Sequence, residues 1–139
     1  MAGMEEMTAP GGYLIEEMIS DSLAELLVGV RADETGLVSL TLGAGGVLTE
    51  LFADTVTIVL PADKMEIATA LRQTRVGRVL DGYRGGKRAN EVDLVDTIAR
   101  ICDLISANDR WSQIEVNPLI VREQDCVAVD AAIAVAEEE

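Results

Sequence analysis

The sequence predicts an α+β fold with a mostly antiparallel sheet and helices packed on one face. Stretches with strand alternation come first, two helical stretches follow, and two further strands close the chain. Of the 139 residues, 49% are hydrophobic but only 3% are aromatic, so the core must be aliphatic. This length suits one domain with one core. We expect a single domain over residues 1–139, with residues 1–11 as a flexible lead-in and residues 136–139 as an acidic tail.

Four strands are predicted in the first part of the chain, separated by turns rich in glycine, proline and aspartate. Alternating residues predict a strand over residues 13–19, directly after Pro10-Gly11-Gly12. Three more are predicted at residues 25–30, 37–42 and 55–60. Residues 43–46, Gly-Ala-Gly-Gly, interrupt the sheet between the third and the fourth strand.

Two helices are predicted after the fourth strand. Asp63 and Glu66 form a D-x-x-E pair that is typical of a helix start. Asn90 and Asp93 can cap a longer helix over residues 91–105. Apolar residues at helical spacing mark its buried face: Leu94, Ile98, Ile101 and Ile105. Strands over residues 113–121 and 126–135 complete the predicted fold.

The charge and the rare residue types exclude several classes of function. The formal net charge is -14, which argues against nucleic acid or an anionic membrane as a partner, because both need a basic face. Two cysteines and no histidine cannot complete a zinc site. No apolar run is long enough to span a bilayer, and the amino terminus lacks the basic stretch of a signal peptide. These features predict a cytoplasmic protein.

The last two strands predict a hairpin whose two-residue turn is Glu123-Gln124. In that register Asn117 lies directly opposite Asp130, and Glu115 lies on the same face, away from the core. Opposite side chains have Cβ atoms about 4.5–5.5 Å apart, so an amide oxygen and a carboxylate can reach one cation. Both are hard oxygen ligands of the kind that Mg²⁺ takes.

The same hairpin pattern has a purely structural interpretation. Asn117 and Asp130 can hydrogen-bond each other or cap a loop, and a register slip of one residue would separate them. The opposite face is wholly apolar and is predicted to be core. It comprises Ile114, Val116, Pro118, Ile120, Val127, Val129, Ala131 and Ile133.

Several segments, in the expected order, resemble the ATP-grasp CoA ligases that form a nucleoside diphosphate. Residues 114–121, Ile-Glu-Val-Asn-Pro-Leu-Ile-Val, resemble the E-I-N-P-L strand of that family, and residues 127–131 resemble its companion strand. Residues 14–18 followed by residues 24–30 are similar to its hinge strand and the next strand. The family includes the succinyl-CoA synthetase β subunit and the ADP-forming acetyl-CoA synthetases.

The acyl-CoA synthetase branch of the family is matched by two further motifs, at residues 42–50 and 82–85. The resemblance covers residues 12–133, nearly the whole chain. It implies the carboxyl-terminal subdomain of an ATP-grasp domain.

The resemblance implies that one group of residues borders the nucleotide, ATP or ADP. Glu17 and Met18 would lie beside the adenine, and Ser20 would offer a backbone contact. Glu25 would accept hydrogen bonds from nucleotide hydroxyls or orient the site. Alternatively, Glu16 and Glu17 have no role in binding and simply lie on a solvated face of a strand.

A second group would hold the reacting phosphates. The resemblance implies that Asn117 and Asp130 hold Mg²⁺ between the β and γ phosphates, and that Glu115 helps to position the phosphoryl acceptor. Gly45 and Gly46 admit two interpretations: close backbone approach to a phosphate, or simple termination of a strand.

The family's reaction needs parts that this sequence does not supply. It passes a phosphoryl group between nucleotide and acyl phosphate through a phosphohistidine, and the chain has no histidine. The expected partners are therefore the amino-terminal ATP-grasp half and the CoA-binding and ligase domains, in the same chain or another subunit. We predict that the isolated chain is inactive. The alternative is a non-catalytic ATP-grasp remnant that serves assembly or regulation, for example fused to an acetyltransferase. The polar set Glu25, Glu115, Asn117 and Asp130 favours the catalytic role.

Overall fold

Three helices cover one face of an antiparallel sheet. The computed structural model describes residues 11–48 and 53–137. Within them the elements are β1 (Ala24–Ala32), β2 (Val38–Ala44), β3 (Thr55–Leu60), α1 (Lys64–Gln73), α2 (Arg75–Leu80), α3 (Glu91–Ser106), β4 (Trp111–Val121), β5 (Cys126–Ala128) and β6 (Ala131–Val135). The strand order is β3-β2-β1-β4-β5, and β6 also pairs with β4. The predicted α+β class is confirmed.

The core lies between the helices and the face of the sheet that they cover. Leu26, Val28 and Val30 alternate along β1 and are fully buried, and Leu40 and Leu42 continue the same layer on β2. The predicted apolar face of α3 packs on this layer, and all four of its residues are buried: Leu94, Ile98, Ile101 and Ile105. The helical spacing in the sequence therefore identified the packed face of α3 correctly.

The predicted helix starts are also confirmed. The Asp63 side chain accepts from the Glu66 N–H at 2.8 Å while Glu66 accepts from the Asp63 N–H at 2.7 Å, which is a complete capping box. Asn90 caps α3 by accepting from the Asp93 N–H. Between α1 and the short helix α2, which the sequence pattern did not predict, Thr74 is buried and its hydroxyl accepts from the Gly77 N–H at 2.9 Å.

The predicted strand over residues 13–19 is wrong. Residues 12–22 form neither strand nor helix, and four of the large apolar side chains among them are 57–91% exposed: Tyr13, Leu14, Ile15 and Met18. A strand needs a neighbour that accepts and donates its backbone hydrogen bonds. Within the described residues no strand pairs with this segment, so alternation alone does not make it one. The predicted flexible lead-in falls mostly on residues outside the described ranges.

The final strand also differs from the prediction. It divides into β5 and β6 at Val129 and Asp130. Three predicted core residues are exposed instead: Val129 (40%), Ala131 and Ile133 (47%). The reason is their position, because β6 lies at the edge of the sheet whereas the helices pack on β1 to β5.

Both cysteines are free thiols. Cys102 is buried in α3, and burial raises the pKa of its thiol to about 11. Cys126 is half-buried, with its sulfur 3.3 Å from the Thr97 hydroxyl oxygen.

Of the helices that the structure describes, none has the length and apolar character needed to cross a membrane.

Candidate functional site

The register of the final hairpin is the one that the sequence predicts. Leu119 pairs with Ala128 and Val121 with Cys126. Further along, the Asn117 N–H donates to the Asp130 carbonyl at 3.0 Å. Asn117 and Asp130 therefore lie opposite each other, as the proposed metal pair requires.

A bulge in β4 was not predicted, and it changes which residues form the core. Leu26 pairs with Leu119 whereas Val28 pairs with Val116, so Leu27 lies opposite two residues, Asn117 and Pro118. Proline has no N–H to donate to a neighbouring strand and is typical of such a bulge. Beyond the bulge, the positions of β4 whose side chains face the core shift by one residue. Leu119 and Val121, which uninterrupted alternation places on the non-core face, are consequently buried in the core.

The glycine loop, residues 43–48, lies against Asn117 and the start of β1. The Gly45 N–H donates to the Glu25 carbonyl at 2.9 Å, and the Gly46 N–H donates to Asn117 Oδ1 at 2.7 Å. A Cβ at Gly46 would lie 1.9 Å from the Glu25 carboxylate, and one at Gly45 would lie 2.4 Å from the backbone of Leu26. At Gly45 the obstacle is backbone, which cannot move aside for a side chain, and Gly46 has a positive φ of 67°, which favours glycine.

The loop thus brings several predicted site residues together at one end of the sheet face that the helices leave uncovered, here called the open face. Glu25, Gly45, Gly46 and Asn117 are in direct contact, and Asp130 joins through its backbone.

Glu115 lies on the same open face, next to an unobstructed part of the sheet. It is two residues before Asn117 on β4 and opposite Gly29 of β1. Among the described residues, a Cβ built at Gly29 would meet only Thr41, at 4.0 Å, so no described atom crowds the sheet surface at that position. This leaves room for a group to approach the carboxylate.

Glu17, Met18 and Ser20, which are predicted to border the nucleotide, lie in the segment 12–22 without regular structure and are exposed. Their contacts with a nucleotide stay predictions.

The donor atoms fit Mg²⁺ better than a softer metal. Among the described residues, no group of three or more histidine, cysteine, aspartate or glutamate side chains is arranged to hold a metal. The predicted pair offers one carboxamide oxygen, from Asn117, and one carboxylate, from Asp130, and both are hard ligands. Asn117 Oδ1 accepts a hydrogen bond from the Gly46 N–H at 2.7 Å, which orients this oxygen of the predicted pair.

Positive charge lies beside the glycine loop despite the acidic composition. Residues 72–88 contain six of the eleven basic residues and a single acid, Asp81. One of the six, Arg75, lines a cleft of about 490 Å³ together with Glu25, Gly45 and Asp54. Sequence reasoning missed Arg75 and Asp54, although the charge run was visible in the sequence.

Comparison with known proteins gives consistent matches. A family model described as an ATP-grasp domain matches residues 4–135. Acetate–CoA ligase [ADP-forming] I of Archaeoglobus fulgidus is 28% identical over 127 residues, covering 91% of this chain and 18% of the relative. The beta subunit of acetate–CoA ligase [ADP-forming] I of Pyrococcus furiosus is 29% identical over 107 residues, covering 77% of this chain and 46% of the relative.

A solved structure with the same fold is dinucleotide-forming acetyl-coenzyme A synthetase 1 of Ca. Korarchaeum cryptofilum, in complex with coenzyme A and Mg-AMPPCP. The TM-score is 0.75 at 25% identity, covering 81% of this chain and 53% of that one. The chain therefore spans between a fifth and about half of the length of the proteins that it matches.

Proposed function

The chain belongs to the ATP-grasp domain family, and from this premise we propose that it forms the carboxyl-terminal half of the ATP-grasp domain of an ADP-forming acyl-CoA synthetase. The whole enzyme would join a carboxylic acid to CoA, passing a phosphoryl group between ATP or ADP and an acyl phosphate. Because the chain has no histidine, the phosphohistidine that carries this group would come from another domain.

One observation carries the proposal: Glu25 and Asn117 meet Gly45 and Gly46 at one end of the open face, with Asp130 opposite Asn117. Catalysis of phosphoryl transfer depends chiefly on positioning and charge neutralisation. A purely structural remnant needs neither a glycine against the Glu25 carboxylate nor a carboxamide that binds a loop amide.

Each residue has a role in this proposal. Asn117 and Asp130 hold Mg²⁺, which when bound neutralises charge on the β and γ phosphates. Glu115 positions the phosphoryl acceptor on the unobstructed sheet surface beside it. Glu25 orients the nucleotide and, through its carbonyl, the glycine loop, whose Gly45 and Gly46 backbone would approach a phosphate.

The partners in this proposal are the amino-terminal ATP-grasp half and the CoA-binding and ligase domains, in the same chain or another subunit. The extent of the matches supports it, since the chain covers 18% of the Archaeoglobus ligase and 46% of the Pyrococcus subunit. Glu17 and Met18 would border the adenine, and Ser20 would offer a backbone contact to the nucleotide, in a cleft that the amino-terminal half closes. The exposure of their segment here is consistent with that role.

The test compares the 139-residue chain with the enzyme assembled from all of these parts. We expect no CoA- and acid-dependent ADP release from the chain alone and clear release from the assembly. Release by the chain alone would contradict the proposal. An assembly that forms and binds CoA but releases no ADP would support the non-catalytic role.

A further inference from the structure

Asp54, directly before β3, binds the first turn of α2 with both oxygens of its carboxylate. Oδ1 accepts from the Arg75 N–H at 2.8 Å, and Oδ2 accepts from the Val76 N–H at 2.9 Å. The first N–H groups of a helix have no acceptor within it, and a negative charge is stabilising at that end. One side chain thus satisfies two backbone donors more than twenty residues away.

The backbone of Asp54 closes the base of the glycine loop. Its carbonyl accepts from the Ala44 N–H at 3.2 Å. The approach is close, since a Cβ at Gly43 would lie 2.3 Å from the Asp54 oxygen. Asp54 therefore touches the loop with its main chain and α2 with its side chain.

The helix at the far end of this connection is firmly held. Val76 and Leu80 of α2 are buried in the core, and α2 packs on β1 and β2. Thr74, also buried, caps it. The Asp54 carboxylate is thus attached to a fixed part of the structure.

We propose that Asp54 is a positioning residue for the nucleotide site. It ties the base of the glycine loop to α2, and so holds Gly45 and Gly46 where Glu25 and Asn117 bind their N–H groups. The connection to nucleotide binding rests on the proposed function, whereas the tie is a property of the chain itself.

The tie can be tested in the 139-residue chain with two variants of one residue. Arg75→Pro deletes the N–H that binds Asp54, at a first helical position where proline is tolerated. The preceding residue, Thr74, is already extended (φ -83°, ψ 156°), as proline requires. Arg75→Ala removes the same charge and keeps the N–H.

Hydrogen exchange followed by NMR gives the readout. We expect the Gly45 and Gly46 amides to exchange at least about tenfold faster in Arg75→Pro than in Arg75→Ala, with the Ile98 amide as a reference for global opening. Equal protection of the glycines in the two variants would overturn the proposal.

A second pair of variants connects the tie to the nucleotide. Asp54→Asn places an NH₂ group against one backbone donor. Asp33→Asn is the matched control, since Asp33 Oδ1 accepts from the Thr35 and Leu37 N–H groups at the far end of the β1–β2 hairpin. In the assembled enzyme, Asp54→Asn should raise KM for the nucleotide about tenfold without changing KM for the acid, and Asp33→Asn should change neither.

The two measurements separate the two claims. If the Gly45 and Gly46 amides exchange hydrogen at an unchanged rate in Asp54→Asn, Asp54 does not hold the glycine loop to α2, whatever the kinetics show. Faster exchange with an unchanged nucleotide KM would instead show that the glycine loop is not the nucleotide contact, which contradicts the proposed function.

Discussion

The covered and open faces of the sheet are built from the same strands, yet they differ in what completes them. On the covered face, side chains of β1, β2 and β4 meet three helices of this chain and are buried. On the open face lie Glu25, Glu115, Gly29 and two threonines, Thr41 and Thr57, whose hydroxyls bond each other at 2.9 Å. The covered face has its packing partners within the chain. The open face has a polar, glycine-lined surface suited to a ligand and to a second domain.

The largest effect is expected on the covered face. Replacing Ile98, which is fully buried at the centre of α3, by alanine should lower the free energy of unfolding by about 2–5 kcal/mol, through lost burial and a cavity. Val92→Ala, on an exposed position of the same helix, should change it by less than about 0.5 kcal/mol. Urea denaturation measures both, and equal midpoints would refute the packing of α3.

The fold was predictable where contacts are local or repeat with a fixed period. The stripe of Ile98 and its neighbours, the Asp63 capping box and the hairpin register all follow from spacing within one element or across one turn. The segment at residues 13–19 was not predictable, because its alternation needs a neighbouring strand that the described residues do not provide.

For the site, the sequence indicated the Asn117–Asp130 pairing but not the contacts made by the loop. Pro118 is typical of a bulge, but whether a bulge forms there depends on how β1 and β4 meet. Asp54 binds backbone N–H groups, so residue types carry no signal for its role. Long-range contacts to backbone atoms are the part that pattern reasoning misses.

The next largest effect is expected on the open face, in activity and not in stability. In the assembled enzyme at saturating Mg²⁺, Asp130→Asn keeps the size and removes the charge of one proposed metal ligand. Phosphoryl transfer should fall about 100-fold, roughly 2.7 kcal/mol in the barrier. Asn117→Ala should also reduce it, because both the ligand and the hydrogen bond to Gly46 are lost.

Thermal melts of the same variants sharpen the contrast between the faces. Asp130 is exposed, with Glu115 on the same face of the sheet, so removing its charge should leave the melting temperature unchanged or slightly higher. Full activity in both variants would show that the pair is structural. A large loss of stability in Asp130→Asn would show that the open face contributes to folding as the covered face does.

A small effect is expected for Ile133, where the covered face runs out. Ile114 and Ile133 are direct cross-strand partners, but Ile114 is 4% exposed and Ile133 is 47% exposed. Ile114→Ala should cost about 2–5 kcal/mol, since it opens a cavity between β1, β4 and the helices. Ile133→Ala removes a side chain that water already reaches at the sheet edge, so it should cost less than about 1 kcal/mol. Urea midpoints of the two variants, measured in the isolated chain, check the difference. Equal costs would mean that β6 is packed as tightly as β4, and that the covered face extends to the edge of the sheet.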